Sequence, residues 1–260
     1  MAGGSVLTER DGAIATVTLS SPGRLNALDK TMWSQLGAAM RELDADESVR
    51  CIVLRGAGDK AFAAGADIAE FHAERANSQQ AKAYAEGGIG WLHAVAGCRH
   101  PTVALIQGAC VGGGLLIASQ CDLRICNESA RFGVPVKNLG LTESYDELTA
   151  MMCVAGPAAS LEILLEGRIW GAREAYEKGL VTRVMPDAEV VAEAYAAAAR
   201  IADGAPRVAR WHKKFIRRLL DPRPLTAAER DEGYACFDTE DFRTGVAAFL
   251  AKQKPRFSGR

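Results

Sequence analysis

Hydrophobic and polar positions change their period several times along the 260-residue chain, which predicts a mixture of strands and helices. Residues 13–19 alternate and are rich in Thr, Val and Ile, as is typical of a strand. Further short apolar runs predict buried strands at 51–55, 103–106, 123–126 and 181–184. Asp29 can cap a helix whose apolar positions have helical spacing: Met32, Leu36, Met40 and Leu43.

The alternation of strands and helices in the first part of the chain predicts an α/β fold with a mainly parallel, covered sheet. Other helices are predicted at 68–97, 158–166, 172–178, 187–203, 206–220, 226–236 and 240–253. The stretches 56–67 and 131–142 contain Gly or Pro and are expected to be loops. We therefore expect a core at 1–195 that carries the site and a helical subdomain at 196–260.

The stretch 102–122 is the most informative part of the sequence. An apolar strand ends before Gly108, three successive glycines occupy 112–114, and an apolar helix follows at 115–119. Backbone N–H groups at a helix N-terminus favour negative charge, and glycine allows a ligand to approach the backbone closely. A tight turn between two core elements is the simpler alternative.

A second loop makes the binding interpretation more specific. The sequence KAFAAGAD at 60–67 follows the strand at 51–55, just as the glycine turn follows the strand at 103–106. Ligands collect at the carboxyl ends of parallel strands. Two loops at that edge could each direct one N–H at a single oxygen and form an oxyanion hole, which stabilises charge developing on a carbonyl.

Composition excludes several other classes of function. The formal net charge is −1 and the pI is near 6.5, so no whole-molecule field favours nucleic acid or acidic lipid. A basic helical cluster is more typical of a solvated or intersubunit face than of an RNA site, because no nucleic-acid motif accompanies it: Arg207, Arg210, Lys213, Lys214, Arg217 and Arg218.

Cysteine, histidine and hydropathy patterns do not predict a metal, a disulfide framework or a membrane span. The seven cysteines form no CxxC, and the four histidines have no metal-ligand spacing. The charged N-terminal residues do not resemble a signal peptide, and no apolar run reaches the roughly 18 residues of a transmembrane helix. A reducing, cytoplasmic setting is expected.

Four segments resemble the crotonase (enoyl-CoA hydratase/isomerase) superfamily. They are PGRLNALD at 22–29, AFAAGADI at 61–68, GACVGGGL at 108–115, and Gly179-Leu180-Val181 before Val184. The resemblance implies a spiral of ββα units with C-terminal helices that build trimers, commonly paired into hexamers. It also implies an acyl-CoA substrate, no separate cofactor, and oxyanion donors at the main-chain N–H groups of Ala66 and Gly113.

The sequence departs from the family at the two positions that carry acid/base chemistry in hydratases. Leu116 stands where those members have one glutamate, and Val136 follows Pro135 where they have the second. Hydration needs a base for the water and a proton source for the α-carbon, and neither Leu nor Val can supply one. Ordinary hydratase activity is therefore doubtful, and isomerase or other enolate chemistry is favoured.

The loop 139–147 is the best place for a replacement acid. Isomerase and dehalogenase members resemble this chain in carrying one acidic residue there, which makes Glu143 the candidate base, with Tyr145 and Asp146 as alternatives. A single carboxylate suffices to move a proton between two carbons. Alternatively, Glu143 and Asp146 are solvated residues at a helix start, where acids suit the helix dipole. Glu86 and His93 could also border the pocket, although a surface or core position is favoured.

The remaining candidates concern substrate binding. The resemblance places Arg24 near the CoA phosphates, and Lys252 and Lys254 could approach them, sometimes in a neighbouring subunit. Ala64, Asp67, Ile68 and Gly112 belong to the two loops and are expected to contact the substrate, as are Leu116 and Val136. Three readings stay open: an enzyme of isomerase, hydrolase, decarboxylase or related enolate chemistry, a non-catalytic acyl-CoA-binding paralogue, and a hydratase with atypical residues.

Overall fold

The computed structural model describes residues 3–260, with the side chains of all of these except 86–89. Its strands are β1 (Ser5–Asp11), β2 (Ile14–Ser20), β3 (Cys51–Gly56), β4 (Ala61–Ala63), β5 (Thr102–Ile106), β6 (Ala109–Val111), β7 (Leu123–Asn127), β8 (Arg131–Gly133), β9 (Trp170–Gly171) and β10 (Arg183–Met185). Its α-helices are α1 (Lys30–Ala45), α2 (Phe71–Glu74), α3 (Ser78–Gly97), α4 (Gly113–Gln120), α5 (Tyr145–Glu166), α6 (Ala172–Glu177), α7 (Val190–Ala202), α8 (Pro206–Leu219), α9 (Ala227–Glu232) and α10 (Glu240–Leu250).

The strands form two sheets. The larger has the order β1-β2-β3-β5-β7-β10 and is parallel except for the antiparallel β1–β2 pair. The smaller has the order β4-β6-β8-β9 and is parallel except for β8–β9. The strand pairs β3-β4, β5-β6 and β7-β8 each add one strand to each sheet before a helical segment, which confirms the spiral of ββα units.

The larger sheet is covered on both faces, which explains its continuous apolar strands. Along β3, Ile52 and Leu54 face the main core with α1, whereas Cys51 and Val53 face α7. This alternation is the two-residue period of a strand. α7 crosses the expected boundary between residues 195 and 196 while packing on the sheet, and the division into two domains stays a prediction.

The sequence-based predictions of several loops and helices are wrong in type or in bounds. The expected loop 56–67 contains β4, and the expected loop 131–142 contains β8 and a 3-10 helix at Pro135–Leu139. Strands of three residues are too short to show a period, so the sequence does not signal them. The single helix expected over 68–97 is instead a 3-10 turn, α2 and α3, and α5 begins at Tyr145 rather than at 158.

α5 is long and apolar enough to cross a membrane by length and composition, although the sequence analysis expected no such helix. Gly156, with φ of 76°, interrupts its helical backbone immediately before Pro157. Each half is therefore shorter than the roughly 20 residues that a span requires. Met151 and Ile163, one from each half, belong to the main core.

The basic cluster on α8 is largely neutralised by acids elsewhere in the chain. Arg210 pairs with Glu47 at 2.6 Å, and Lys213 and Arg217 share Asp122 at 2.7 and 3.0 Å. Lys214 and Arg218 pair with Glu232 and Glu229. These pairs connect α8 to the core and to α9, as expected for a packed helix rather than an open anionic-ligand surface.

Candidate active site

Two loops meet at the N-terminus of α4, and glycines make their close approach possible. A β-carbon on Gly108 would lie 2.0 Å from the Lys60 carbonyl oxygen, and one on Gly114 would lie 2.3 Å from that of Ala63. Both positions therefore accept only glycine without a backbone shift. Gly112 has φ of 52° and Gly65 φ of 99°, a region that side chains disfavour. The turn predicted from the glycine run is confirmed.

Within the described part of the chain, no backbone hydrogen bond is recorded for the N–H groups of Ala66 and Gly113. Ala66 forms a parallel bridge with Leu28, in which Leu28 N–H donates to Gly65 and Asp67 N–H donates to Leu28, both at 2.8 Å. The Ala66 N–H therefore points away from Leu28. Gly113 is the first residue of α4, so its N–H has no acceptor within the helix.

These two amides lie close together. A β-carbon on Gly113 would be 3.7 Å from the Ala66 nitrogen, and one on Gly65 would be 3.4 Å from the Gly113 nitrogen. Because a Cβ is about 2.5 Å from its own nitrogen, the two nitrogens are separated by no more than about 6 Å. One oxygen atom can reach two donors at that separation.

Both amides border a cavity of about 890 Å³. Eight of the residues expected at the site line it: Ala64, Ala66, Ile68, Gly112, Gly113, Leu116, Val136 and Glu143. The volume is in the range of ligand pockets, which are mostly apolar with a few polar groups. The structure thus brings together most of the predicted site, although the predicted contacts with a substrate stay predictions.

Leu116 and Val136 both face this cavity, at the positions where the resemblance implies two glutamates. Leu116 lies on α4 one turn after Gly113 and is buried, with 2% of its surface exposed. Val136 lies in the 3-10 helix Pro135–Leu139 and packs against the main core. Two aliphatic side chains therefore occupy this part of the wall, and neither can transfer a proton.

Glu143 is an acid of the cavity whose surroundings disfavour its charged form. Burial is the main cause that raises its pKa to about 7, the negative charge of Glu147 raises it further, and Arg75 opposes both. Within the described part of the chain its carboxyl has no hydrogen bond or ion pair. A carboxyl with a pKa near neutrality in a cavity is a candidate proton-transfer group.

The alternatives to Glu143 do not line this cavity. Tyr145 is 91% exposed, and Asp146 is exposed on the first turn of α5. Glu147 does line the cavity, but its carboxylate accepts hydrogen bonds from the Ser144 N–H at 2.8 Å and hydroxyl at 2.6 Å. Glu147 thereby completes the capping box of α5, which leaves Glu143 as the uncommitted acid.

Comparisons with known proteins agree with this architecture. The enoyl-CoA hydratase/isomerase family model matches residues 9–260. This chain belongs to the enoyl-CoA hydratase/isomerase family. It is 36% identical to a probable enoyl-CoA hydratase of Rhizobium meliloti over 98% of both chains, and 31% identical to the short-chain-enoyl-CoA hydratase of Clostridium acetobutylicum over 96% of both.

Among solved structures, an enoyl-CoA hydratase/carnithine racemase from Magnetospirillum magneticum is 51% identical, with a TM-score of 0.97 over 98% of this chain and 96% of that one. A putative enoyl-CoA hydratase/isomerase family protein from Hyphomonas neptunium is 34% identical, with a TM-score of 0.93 over 98% of both chains. These likenesses establish the family and the fold.

Arg24 and Asp67, which were also expected to contact the substrate, do not line the cavity. Arg24 forms ion pairs with Asp67 and, at 3.7 Å, with Asp29. Asp67 also caps the 3-10 turn after it by accepting a hydrogen bond from the Ala69 N–H at 3.1 Å. Both residues adjoin the Ala66 loop, and their proposed contacts with CoA stay predictions.

The two C-terminal lysines and His93 on α3 also do not line the cavity. Lys254 pairs with Asp203 at 2.7 Å, and Lys252 follows α10 with a left-handed φ of 54°. A role at a neighbouring subunit stays a prediction. His93 is exposed and lines a separate cleft of about 320 Å³, and the side chain of Glu86 lies outside the described residues.

One wall of the cavity is aromatic, and this was not predicted from the sequence. Trp33 and Trp91 stack with ring centroids 4.7 Å apart, and Trp33 packs so tightly on Gly113 that a β-carbon there would lie 2.8 Å from its ring. Phe71, Tyr84 and Arg75 line the same region. The helical stripe on α1 signals that Trp33 is near the core, but no sequence pattern indicates that it meets α3 beside the glycine turn.

Proposed function

We propose that this chain binds an acyl-CoA thioester and transfers a proton on its acyl group through an enolate. The observation that supports the proposal is that Ala66 and Gly113, whose backbone nitrogens lie within about 6 Å of each other, line one cavity together with Glu143. Two fixed N–H donors would stabilise the negative charge that develops on the thioester oxygen when an α-proton leaves. The enoyl-CoA hydratase names of the relatives support the substrate class.

The best-supported reaction is migration of a double bond along the acyl chain. Glu143 as a carboxylate would accept a proton from one acyl carbon, and the resulting carboxylic acid would return it to another. The double bond shifts, the electron pair passes through the enolate, and neither water nor a redox partner is consumed. One acid with a pKa of about 7 can serve in both directions near neutral pH.

Hydration is the competing reaction, because relatives at 31–36% identity are named enoyl-CoA hydratases. Leu116 and Val136 argue against it in this chain, since both line the cavity and neither can hold or activate water. Glu143 alone would have to activate the water and also protonate the α-carbon. We therefore favour isomerisation or a related enolate reaction.

The CoA portion is proposed to bind along the Ala66 loop. Ala64 and Ile68 line the cavity on that loop and, with Gly112, offer backbone contacts to the thioester arm. Arg24 and Asp67 adjoin the loop, and Arg24 would approach a CoA phosphate. Lys252 and Lys254 would contribute from the C-terminal segment, in this subunit or a neighbour.

A homotrimer or hexamer is proposed as the working assembly. The support is a set of exposed apolar side chains on the C-terminal helices, including Phe249 at 82% and Leu250 at 76% exposure. Large exposed apolar groups in such a region are typical of subunit interfaces. Sedimentation equilibrium would distinguish a monomer from a trimer or hexamer.

The proposed function is tested by incubating the protein with a panel of saturated, 2-enoyl and 3-enoyl CoA thioesters. Thermal stabilisation reports binding, and product mass with NMR reports exchange, migration or hydration. We expect stabilisation and double-bond migration that is lost in Glu143→Gln. Stabilisation without turnover would identify a non-catalytic acyl-CoA-binding protein, and an increase in product mass by one water would identify a hydratase.

A further inference from the structure

Arg75 is a charged side chain of the cavity that the proposed proton transfer does not use. It follows α2, and its guanidinium carbon lies 4.6 Å from the ring centroid of Phe71 and 4.0 Å from that of Tyr84. Its Nε is buried and has no hydrogen-bond partner among the residues whose side chains the structure describes. Stacking on two aromatic rings therefore holds this cation in place and leaves the Nε–H available.

Apart from Glu143, which feels the Arg75 charge but forms no ion pair with it, the acids around Arg75 are committed elsewhere. Glu74 pairs with Lys30 Nζ at 2.7 Å, and Glu70 accepts a hydrogen bond from the Lys30 N–H at 2.9 Å. Glu147 is held by Ser144 in the capping box of α5. Among the residues that the structure describes, no carboxylate forms an ion pair with Arg75, although buried charges are usually paired.

Arg75 also lies on the acyl side of the cavity. Its positive charge is felt by Glu143, which is the group proposed to act on acyl carbons, and both residues line the cavity. The Arg75 guanidinium is therefore close enough to the acyl group to bind a substituent on it. The long pantetheine arm of a bound CoA would keep the CoA phosphates away from this end.

We infer that Arg75 binds a carboxylate carried by the acyl group, so that the preferred substrates are CoA thioesters of dicarboxylic acids. This inference rests on the proposed acyl-CoA site and adds the substrate class to it. A carboxylate can accept two parallel hydrogen bonds from a guanidinium, a geometry that a stacked and preoriented arginine offers. The anion would supply the partner that the described acids do not.

The same contacts argue against two other acyl groups. A quaternary ammonium group would need the aromatic faces of Phe71 and Tyr84, but the guanidinium already covers them and would repel a second cation. A plain alkyl tail would fill the apolar part of the cavity while leaving the Arg75 charge desolvated and unpaired, which is unfavourable.

The test compares thioesters matched in carbon number, namely succinyl-, glutaryl- and adipyl-CoA against butanoyl-, pentanoyl- and hexanoyl-CoA. Dissociation constants are measured by calorimetry for the full-length wild type, Arg75→Met and Arg75→Lys, with free CoA as a further ligand. Methionine keeps much of the side-chain length without the charge, and lysine keeps the charge without the planar fork.

We expect the wild type to bind at least one dicarboxylic thioester about tenfold or more tightly than its neutral match, as a charge-assisted hydrogen-bonded pair provides. Arg75→Met should lose this preference while its affinities for the neutral thioesters and for free CoA stay within about twofold of wild type. Arg75→Lys should retain part of the preference. Far-UV circular dichroism verifies that each variant is folded. If Arg75→Met does not fold, the test is the comparison of Arg75→Lys with wild type, in which the variant should show a smaller preference for the dicarboxylic thioesters.

Two results would overturn the inference alone: equal wild-type affinity for matched thioesters, or an Arg75→Met variant that weakens free CoA as much as the dicarboxylic thioesters. The second result would assign Arg75 to a CoA phosphate. Failure of every thioester and of free CoA to bind the wild type would instead overturn the proposed function on which the inference rests.

Discussion

Backbone groups form one end of the cavity, whereas side chains form the other. At the end that we propose binds the thioester, the Ala66 and Gly113 amides lie beside glycines whose neighbours leave no space for a β-carbon. At the acyl end, side chains form the wall, and Leu116 and Val136 stand where the resemblance implies glutamates. A function carried by backbone atoms depends on loop shape, whereas a function carried by side chains changes with one substitution. On the proposed function, the first end would support any reaction through an enolate, and the second would select among such reactions.

The largest effect is expected at Glu143, the cavity acid without a partner among the described residues. Glu143→Gln should lower the rate of proton transfer by about 10²–10⁴, because a positioned acid/base group contributes a factor of that size. Steady-state kinetics on the best thioester of the panel would measure it. Asp146→Asn is the matched control, since Asp146 is exposed near the same helix start, and it should keep wild-type turnover. Full activity in Glu143→Gln would exclude Glu143 as the base.

The pH dependence provides an independent test of the same residue. The raised pKa of Glu143, about 7, means that the carboxylate form is populated only as the pH rises through neutrality. For a reaction that begins with proton abstraction, kcat/KM should therefore increase with pH and reach half its maximum near pH 7. A profile that is flat from pH 5.5 to 8.5 would contradict this role.

The thioester end is tested by Gly113→Ala. The added β-carbon would lie 2.8 Å from the Trp33 ring, so either this ring or the start of α4 with its N–H must move, and the β-carbon would also lie 3.7 Å from the Ala66 nitrogen. We expect turnover to fall by about 10²–10³, as when one oxyanion donor is lost. Gly97→Ala introduces the same methyl group at a position with open space around it and should leave turnover unchanged. If both variants were equally active, the geometry of the glycine turn at Gly113 would not be required for catalysis.

Exchanging the character of the acyl end is a gain-of-function test. The double variant Leu116→Glu with Val136→Glu should raise hydration of crotonyl-CoA by about 10²-fold, the low end for one acid/base group, because the cavity was not shaped around these carboxylates. Leu116→Gln with Val136→Gln is the isosteric control without acid/base function. A folded double-glutamate variant that binds CoA but shows no gain would mean that cavity shape, rather than the missing acids, prevents hydration.

The smallest expected effect concerns stability. Burial raises the pKa of Glu143 to about 7, above its ordinary value of 4.5, so the folded protein disfavours the charged form. Below about pH 4.5 both folded and unfolded chains are protonated and the penalty is absent. It grows as the pH rises to about 7, above which Glu143→Gln should be more stable than wild type by about 1–3 kcal/mol. Urea unfolding at pH 5 and pH 8.5 measures this difference, and equal stabilities at pH 8.5 would contradict the raised pKa.

The sequence predicts the backbone part of the site better than the side-chain part. The glycines at 108 and 112–114 and the loop at 60–67 carry local signals for tight turns, and the structure confirms that the two loops meet. The family resemblance assigned Leu116, three residues after Gly113, and Val136, directly after Pro135, to the site, and both line the cavity. The sequence could not distinguish Glu143 from Tyr145 and Asp146 as the base, because the burial of Glu143 and its distance from Arg75 depend on how α2, α3 and α5 pack.

No sequence pattern indicated which residues of distant helices would line the cavity. Arg75 follows a four-residue helix, and its stacking on Phe71 and Tyr84 requires α2 and α3 to fold against each other. Trp33 belongs to the apolar face of α1, yet its contact with Gly113 is set by the packing of α1 beside α4. The short strands β4, β6 and β8 escaped prediction for a related reason, because they are defined by pairing between segments far apart in sequence.

The central claim is that the Ala66 and Gly113 amides bind one thioester oxygen, and difference infrared spectroscopy tests it most directly. A saturated acyl-CoA labelled with ¹³C at the thioester carbonyl is bound to wild type and to Gly113→Ala. The account predicts that the carbonyl stretch moves to lower frequency in the wild-type complex and returns towards the free value in the variant. A wild-type complex whose labelled carbonyl keeps the frequency of free thioester would contradict the account.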